Sequence, residues 1–135
     1  MNFFEQELKK ICDKSEVLSN QKYLGSSCIA TIDDCKLAKI CFNTNGFAGQ
    51  FGHLDITIIN KNGGTIDNTT LKLSEYLGCA DGQYGYAPAQ IRVLNNEYCL
   101  YRINPTSEQF KDLCDDIDNY TVMFQQQSQA HNLSM

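Results

Sequence analysis

Histidine occurs only twice, at positions 53 and 131, no two cysteines are closely paired, and basic residues are outnumbered by acidic ones. Each shortage narrows what the chain can do. Eleven Lys plus Arg against 16 Asp plus Glu leave a formal charge of −5. That is the wrong sign for a surface built to grip phosphates, so direct nucleic-acid binding is not expected. Seven cysteines stand at 12, 28, 35, 41, 79, 99 and 114, and none forms a C-x-x-C pair. A structural zinc site draws its ligands from such pairs, so neither a metal nor another cofactor is expected. No apolar run approaches the ~20 residues that cross a bilayer, which argues against membrane contact. The segment Asn2-Phe3-Phe4-Glu5-Gln6-Glu7 has no basic region followed by an apolar one, so it does not read as a signal peptide. Cytoplasm is the expected location, with the cysteines as reduced thiols used as small buried hydrophobes.

What is present is globular. Of 135 residues, 42% are hydrophobic and 20% charged, enough for a chain of this length to bury roughly two-thirds of its unfolded surface in one domain. Phe4, Leu8, Ile11 and Cys12 fall at helical spacing, with Glu5, Glu7, Lys9 and Lys10 on the other side and Asn2 as a possible cap, predicting a helix over 2–14. A polar connection over 15–22 follows. The period then changes. Residues 28–32 and 36–42 read as strands around an Asp33-Asp34 turn, and His53-Leu54-Asp55-Ile56-Thr57-Ile58 alternates apolar with polar. Asn60-Lys61-Asn62-Gly63-Gly64 is the strongest turn signal. Thr65-Ile66 and Leu71-Lys72-Leu73 read as strand pieces, Ser74–Leu77 as a helical turn stopped by Gly78, and 79–89 as an irregular loop. A hairpin is expected from 90–94 and 97–103 across Asn95-Asn96. Thr106 and Gln109 fit a capping box for a last helix with Phe110, Leu113, Cys114, Ile117, Thr121 and Phe124 as its apolar stripe. The expected fold is α+β: an antiparallel sheet of five to six strands with N-terminal and C-terminal helices packed on it. Residues 1–125 make a single domain, and 126–135 a polar, disordered tail.

Little of this carries chemistry. His53 beside Asp55 on the polar side of a strand could activate a cysteine thiol, but no local signature supports it, and an exposed strand histidine accounts for the pattern. No catalytic residue is assigned. Gly78, Gly82 and Gly85 match neither a dinucleotide fingerprint nor a P-loop. Tyr84 and Tyr86 in the same loop are either a rigid contact patch for a partner or aromatics folded back onto the sheet. The last helix is acidic. Between Ser107 and Phe124 stand Glu108, Asp112, Asp115, Asp116 and Asp118 against Lys111, a net charge of −4. Glu108, Asp112 and Asp115 recur at i, i+4 and i+7 and therefore line one helix face. Such a row can stand in for phosphates on a basic partner, or simply keep the surface solvated.

The residues Asn2–Ile11, Tyr23-Leu24-Gly25-Ser26-Ser27-Cys28, Leu54–Asn60 before Asp67, Glu97-Tyr98-Cys99-Leu100-Tyr101 with Pro105-Thr106, and Tyr120–Phe124 together resemble a family of small proteins encoded on conjugative and other mobile elements of Gram-positive bacteria. The resemblance spans about residues 1–125. The family's tryptophan positions have no counterpart, because this chain has no tryptophan. Small accessory proteins of such elements often counter host defence, and some anti-CRISPR proteins are acidic domains of this size. The resemblance therefore implies a non-enzymatic inhibitor that binds a host defence nuclease, with the Cas9 ribonucleoprotein as first partner. A structural or regulatory accessory protein of a conjugative element, binding another element protein, is the alternative, and a cysteine hydrolase the third.

Overall fold

The structure, a computed structural model, describes residues 3–43, 51–78, 84–93 and 96–125, with 89–93 and 96–100 as backbone only. The element order is α1 (Phe3–Asp13), β1 (Ser19–Leu24), β2 (Ser27–Thr31), β3 (Lys36–Asn43), β4 (His53–Asn60), β5 (Thr65–Lys72), α2 (Leu73–Leu77), β6 (Tyr86–Val93), β7 (Asn96–Ile103) and α3 (Glu108–Val122). Strands β1 to β5 form one antiparallel sheet in sequence order, and β6 and β7 pair as a separate two-stranded hairpin. The expected α+β class with helices from both ends of the chain is what the structure has. The hairpin stands apart from the sheet.

Alternation decides which face of the sheet is covered. Cys28 and Ala30 on β2, Ala38, Ile40 and Phe42 on β3, and Leu54, Ile56 and Ile58 on β4 point to one side and are buried. They share one core with Leu8, Ile11 and Cys12 of α1 and with Phe110, Leu113, Cys114 and Ile117 of α3. Both terminal helices therefore cover the same face. The other face carries Ile29, Lys39, Cys41, Asp55 and Thr57, all half-buried or exposed. Each fully buried Leu, Ile or Phe contributes about 1.5–3 kcal/mol, so the helices are held by these stripes rather than by surface charge.

Several local expectations change. Residues 19–22, expected in the polar connection over 15–22, belong to the edge strand β1, which pairs with β2 through a register shift between Ser19 and Lys22, and Asn20 has φ 50. An exposed, bulged edge strand needs no apolar alternation, so composition hides it. Strand β5 is continuous over the two expected pieces, and Leu73 opens α2 instead of ending a strand. Strand β6 starts at Tyr86, inside the segment expected to be irregular, and Val93 pairs with Asn96, so Asn96 belongs to β7 and not to the turn. Ser107, not Thr106, caps α3: its Oγ accepts from the Phe110 N–H at 3.1 Å. Asn104 Oδ1 accepts from both the N–H and the hydroxyl of Thr106, at 3.1 and 2.8 Å, which removes that side chain from the helix end. Asn2 and 126–135 lie outside the described residues.

Glu7 departs most from its expected place on the polar side of α1. It is fully buried. Its carboxylate accepts from Arg102 Nη1 at 2.8 Å, from Lys10 Nζ at 3.0 Å and from the Ile103 N–H at 2.8 Å. Lys10 also donates to the Ile103 carbonyl at 3.1 Å, and Arg102 lies over the Phe3 ring. A buried carboxylate is tolerated only when so fully satisfied, and here it ties α1 to the hairpin.

Candidate functional site

Helix α3 turns its apolar stripe inward, which leaves Glu108, Lys111, Asp112, Asp115, Asp116 and Asn119 exposed along its outer side. The three carboxylates of the expected row, Glu108, Asp112 and Asp115, are thus together and open to solvent. Lys111 donates to Asp115 at 2.8 Å, an exposed i,i+4 pair that contributes little. The same Asp115 carboxylate raises the Lys111 pKa, with smaller contributions from Asp112 and Glu108. Glu108 and Asp112 make no ion pair of their own among the described residues.

Tertiary contacts extend this acidic face and hold it in place. The short helix α2 packs beside α3 and adds Glu75. Glu75, Asp112, Asp115 and Asp116 line a shallow hollow of about 530 Å³ with Tyr76 and Asn119. The Tyr76 hydroxyl donates to Asp116 at 2.6 Å, and the Tyr120 hydroxyl donates to Asp67 of β5 at 2.6 Å. Burial and the facing carboxylate raise both phenols, Tyr76 to about 12. Asp118 turns to the chain after α1, where it accepts from the Ser15 hydroxyl and from the Glu16 N–H at 2.9 Å. Asp118 is therefore a fastener and not part of the free surface. Glu75 went unmarked because nothing in a five-residue helix foretells the helix it packs against.

The two loop tyrosines separate. Tyr84 is 64% exposed. It lies on Gly78, where an added Cβ would sit 2.5 Å from Tyr84 Cδ2 and where φ is +77, so only glycine leaves room for the ring. Tyr86 is buried, its ring stacked on Phe51 at 5.8 Å and 9°. Phe51 also meets Phe3, Phe4 and Phe42, so Tyr86 belongs to an aromatic cluster that joins α1, β3 and β6. As a surface contact Tyr86 is corrected: it folds back into the core, and Tyr84 alone is displayed.

His53, Asp55 and Cys41 share the uncovered face of the sheet. Cys41 is the cross-strand partner of Asp55, and His53 that of Asn43. Asp55 spends its oxygens on Thr70 Oγ1 at 2.9 Å and Asn43 Nδ2 at 3.4 Å. No hydrogen bond joins His53 to Asp55 or Cys41 among the described residues. Among those residues there is likewise no group of three or more His, Cys, Asp or Glu side chains arranged to hold a metal ion, and no helix long and apolar enough to cross a membrane.

Among the described residues, the acidic face on α3 and α2 is an exposed feature that tertiary contacts hold in place. No family model, curated protein or solved structure matches this chain.

Proposed function

We propose that the chain is a non-enzymatic inhibitor that docks its acidic face on the basic nucleic-acid channel of a host defence nuclease, with the Cas9 ribonucleoprotein as the first partner. One observation carries the reading. Glu108 and Asp112 stand free on a helix that Asp116 and Asp118 fasten to its neighbours, so the row is exposed on an anchored element. A row of charge on such an element loses little conformational entropy on binding and attracts a basic groove over long range. The resemblance to mobile-element proteins supplies the class of partner. An accessory role in conjugation would use the same face on another element protein.

The test is binding to purified Cas9 ribonucleoprotein at low and high salt, for the natural chain and for the triple variant Glu108→Lys, Asp112→Lys, Asp115→Lys. Exposed charges are screened over ~10 Å at 0.1 M salt, so association of the natural chain should slow as salt rises. The reversal should weaken binding ~10-fold or more, mostly through the on-rate. The fold should survive, because the inward stripe is untouched and the lost Lys111–Asp115 pair is solvent-exposed and contributes little. No binding at either salt removes this nuclease as the partner. Tight, salt-independent binding would move the interface to another surface, with Tyr84 the next residue to change.

A further inference from the structure

Charge is divided between the two sides of the molecule. The sheet face that no helix covers carries Lys22 on β1, Lys39 on β3 and Lys72 on β5, all exposed. Register puts them there: Lys22 pairs with Ile29, Ile29 with Lys39, and Lys72 with His53. None of the three side chains makes a hydrogen bond or ion pair among the described residues. Among the described strand residues this face has one carboxylate, Asp55, which already accepts from Thr70 and Asn43. A chain with a formal charge of −5 thus shows three unpartnered cations on its sheet side and its carboxylate row on its helix side.

The two surfaces also match in apolar content and in spacing. On the sheet, Leu37 of β3 and Ile59 of β4 are cross-strand neighbours, Ile29 lies diagonal to Leu37, and Leu24 at the edge is 70% exposed. On the helix side, the acidic stripe of α3 ends in Val122 and Met123, exposed by 39% and 70%. Val122 follows Asp115 at i+7 and Met123 follows Asp116 at i+7, so both continue the outward line of carboxylates. Lys22 and Lys39 stand two strands apart, about 10 Å. Glu108, Asp112 and Asp115 span about 10 Å of helix.

We propose that the open sheet face is a docking site for a second copy of this chain, which lays its acidic α3 across the strands so that Glu108, Asp112 and Asp115 meet Lys22 and Lys39. The two surfaces lie on opposite sides of one molecule, so the contact is head to tail. Each bound copy still offers one free face, and the assembly grows past a dimer. The strands give a footprint of about 20 by 25 Å, or about 500 Å², below the ~800 Å² per partner of a standard stable complex, so association is weak and reversible. At 0.1 M salt charges are felt over ~10 Å, so the facing patches outweigh the net charge that the copies share. Stacking covers the acidic face, whatever else that face binds, and needs no nuclease.

The experiment is sedimentation of the reduced chain over rising concentration at about 0.1 M and about 1 M salt, where the screening lengths are ~10 and ~3 Å. At the lower salt the average mass should climb beyond that of two chains, and at the higher salt it should fall back toward one. Two neutralised chains separate docking from net charge. Glu108→Gln, Asp112→Asn, Asp115→Asn takes the charge from −5 to −2, and Lys22→Gln, Lys39→Gln, Lys72→Gln takes it from −5 to −8. Each alone should stay monomeric, although the first repels its own copies less than the natural chain does. Mixed, they hold one intact interface between them and should stop at a one-to-one dimer. Carbodiimide coupling in a mixture of light and nitrogen-15 chains should join Lys39 of one isotope to Glu108, Asp112 or Asp115 of the other, since the sheet separates these groups within one chain. A natural chain that stays monomeric throughout overturns the proposal, and binding of poly(uridylic acid) lost in the lysine variant would then assign the face to phosphates. Assembly that the helix variant retains, or that stops at a dimer of natural chains, overturns it equally.

Discussion

At the scale of single residues, the strongest lever is a buried charge. Glu7 accepts from two cations and a backbone N–H at the joint between α1 and the hairpin. Glu7→Ala would leave the Ile103 N–H buried without an acceptor and two cations without their counter-charge. Because Lys10 and Arg102 keep about a third of their surface in water, the cost should be about 2–4 kcal/mol, toward the lower end for a broken buried pair. Urea unfolding of the variant measures it. Tyr76 provides a second test, through pH. Burial and the Asp116 carboxylate raise its phenol from 10.0 to about 12, so the neutral form is favoured in the folded state. A raised pKa means that the contribution is fully present below pH 10 and is lost as pH rises through about 12. In a tyrosinate absorbance titration, Tyr76→Phe should remove one of the late ionisation steps. Asp116→Asn should bring it earlier.

Elements are set by stripes and caps, and the cap of α3 separates two adjacent candidates. Ser107 Oγ accepts the Phe110 N–H, whereas the Thr106 hydroxyl donates to Asn104. Ser107→Ala should therefore cost about 1 kcal/mol, and Thr106→Ala clearly less, with thermal melts giving the order. An equal loss from both would mean that the two hydroxyls share the capping. The capping signal in Pro105-Thr106-Ser107-Glu108-Gln109 announced a helix, but two hydroxyls in a row could each have capped it. Asn104 decides between them, and its reach to Thr106 is a matter of loop geometry. Most of the inward stripe of α3 was legible: Phe110, Leu113, Cys114, Ile117 and Thr121 are all buried, whereas Phe124, also expected in it, lies past the helix end and is half-buried. β1 was not legible, because an edge strand open to water on one side carries no alternation to read.

At the scale of the whole molecule, one helix-covered face and one open face divide the thiols among the described residues, with Cys79 and the Cys99 side chain lying outside them. Cys12, Cys28 and Cys114 are buried, Cys41 is half-buried and Cys35 exposed. Thiol titration of the reduced native chain should find Cys35 fast and Cys41 slower. The three buried thiols should report only on unfolding, Cys114 also because burial and the nearby Asp118 carboxylate push it up to about 12. Rapid native modification of Cys114 would mean that α3 is packed more loosely than the shared core indicates. The same division places the acidic face on the helix side of the molecule and His53 with Asp55 and Cys41 on the sheet side. The proposed docking surface and the His53, Asp55 and Cys41 side chains thus lie apart.

Sequence alone determined the class of this protein, its antiparallel pairing and the inward stripes of its helices, because periodicity and turn chemistry are local properties. It also determined that Glu108, Asp112 and Asp115 share one face, since helical geometry needs only their spacing. Tertiary structure decided the rest. It buried Glu7 against Arg102, 95 residues away, stacked Tyr86 on Phe51 while leaving Tyr84 on the surface, and brought Glu75 to the acidic helix. Each of these depends on which surfaces meet when elements pack. That choice is made by complementary shape and by the need to satisfy every buried charge and donor, and no window of neighbouring residues contains it.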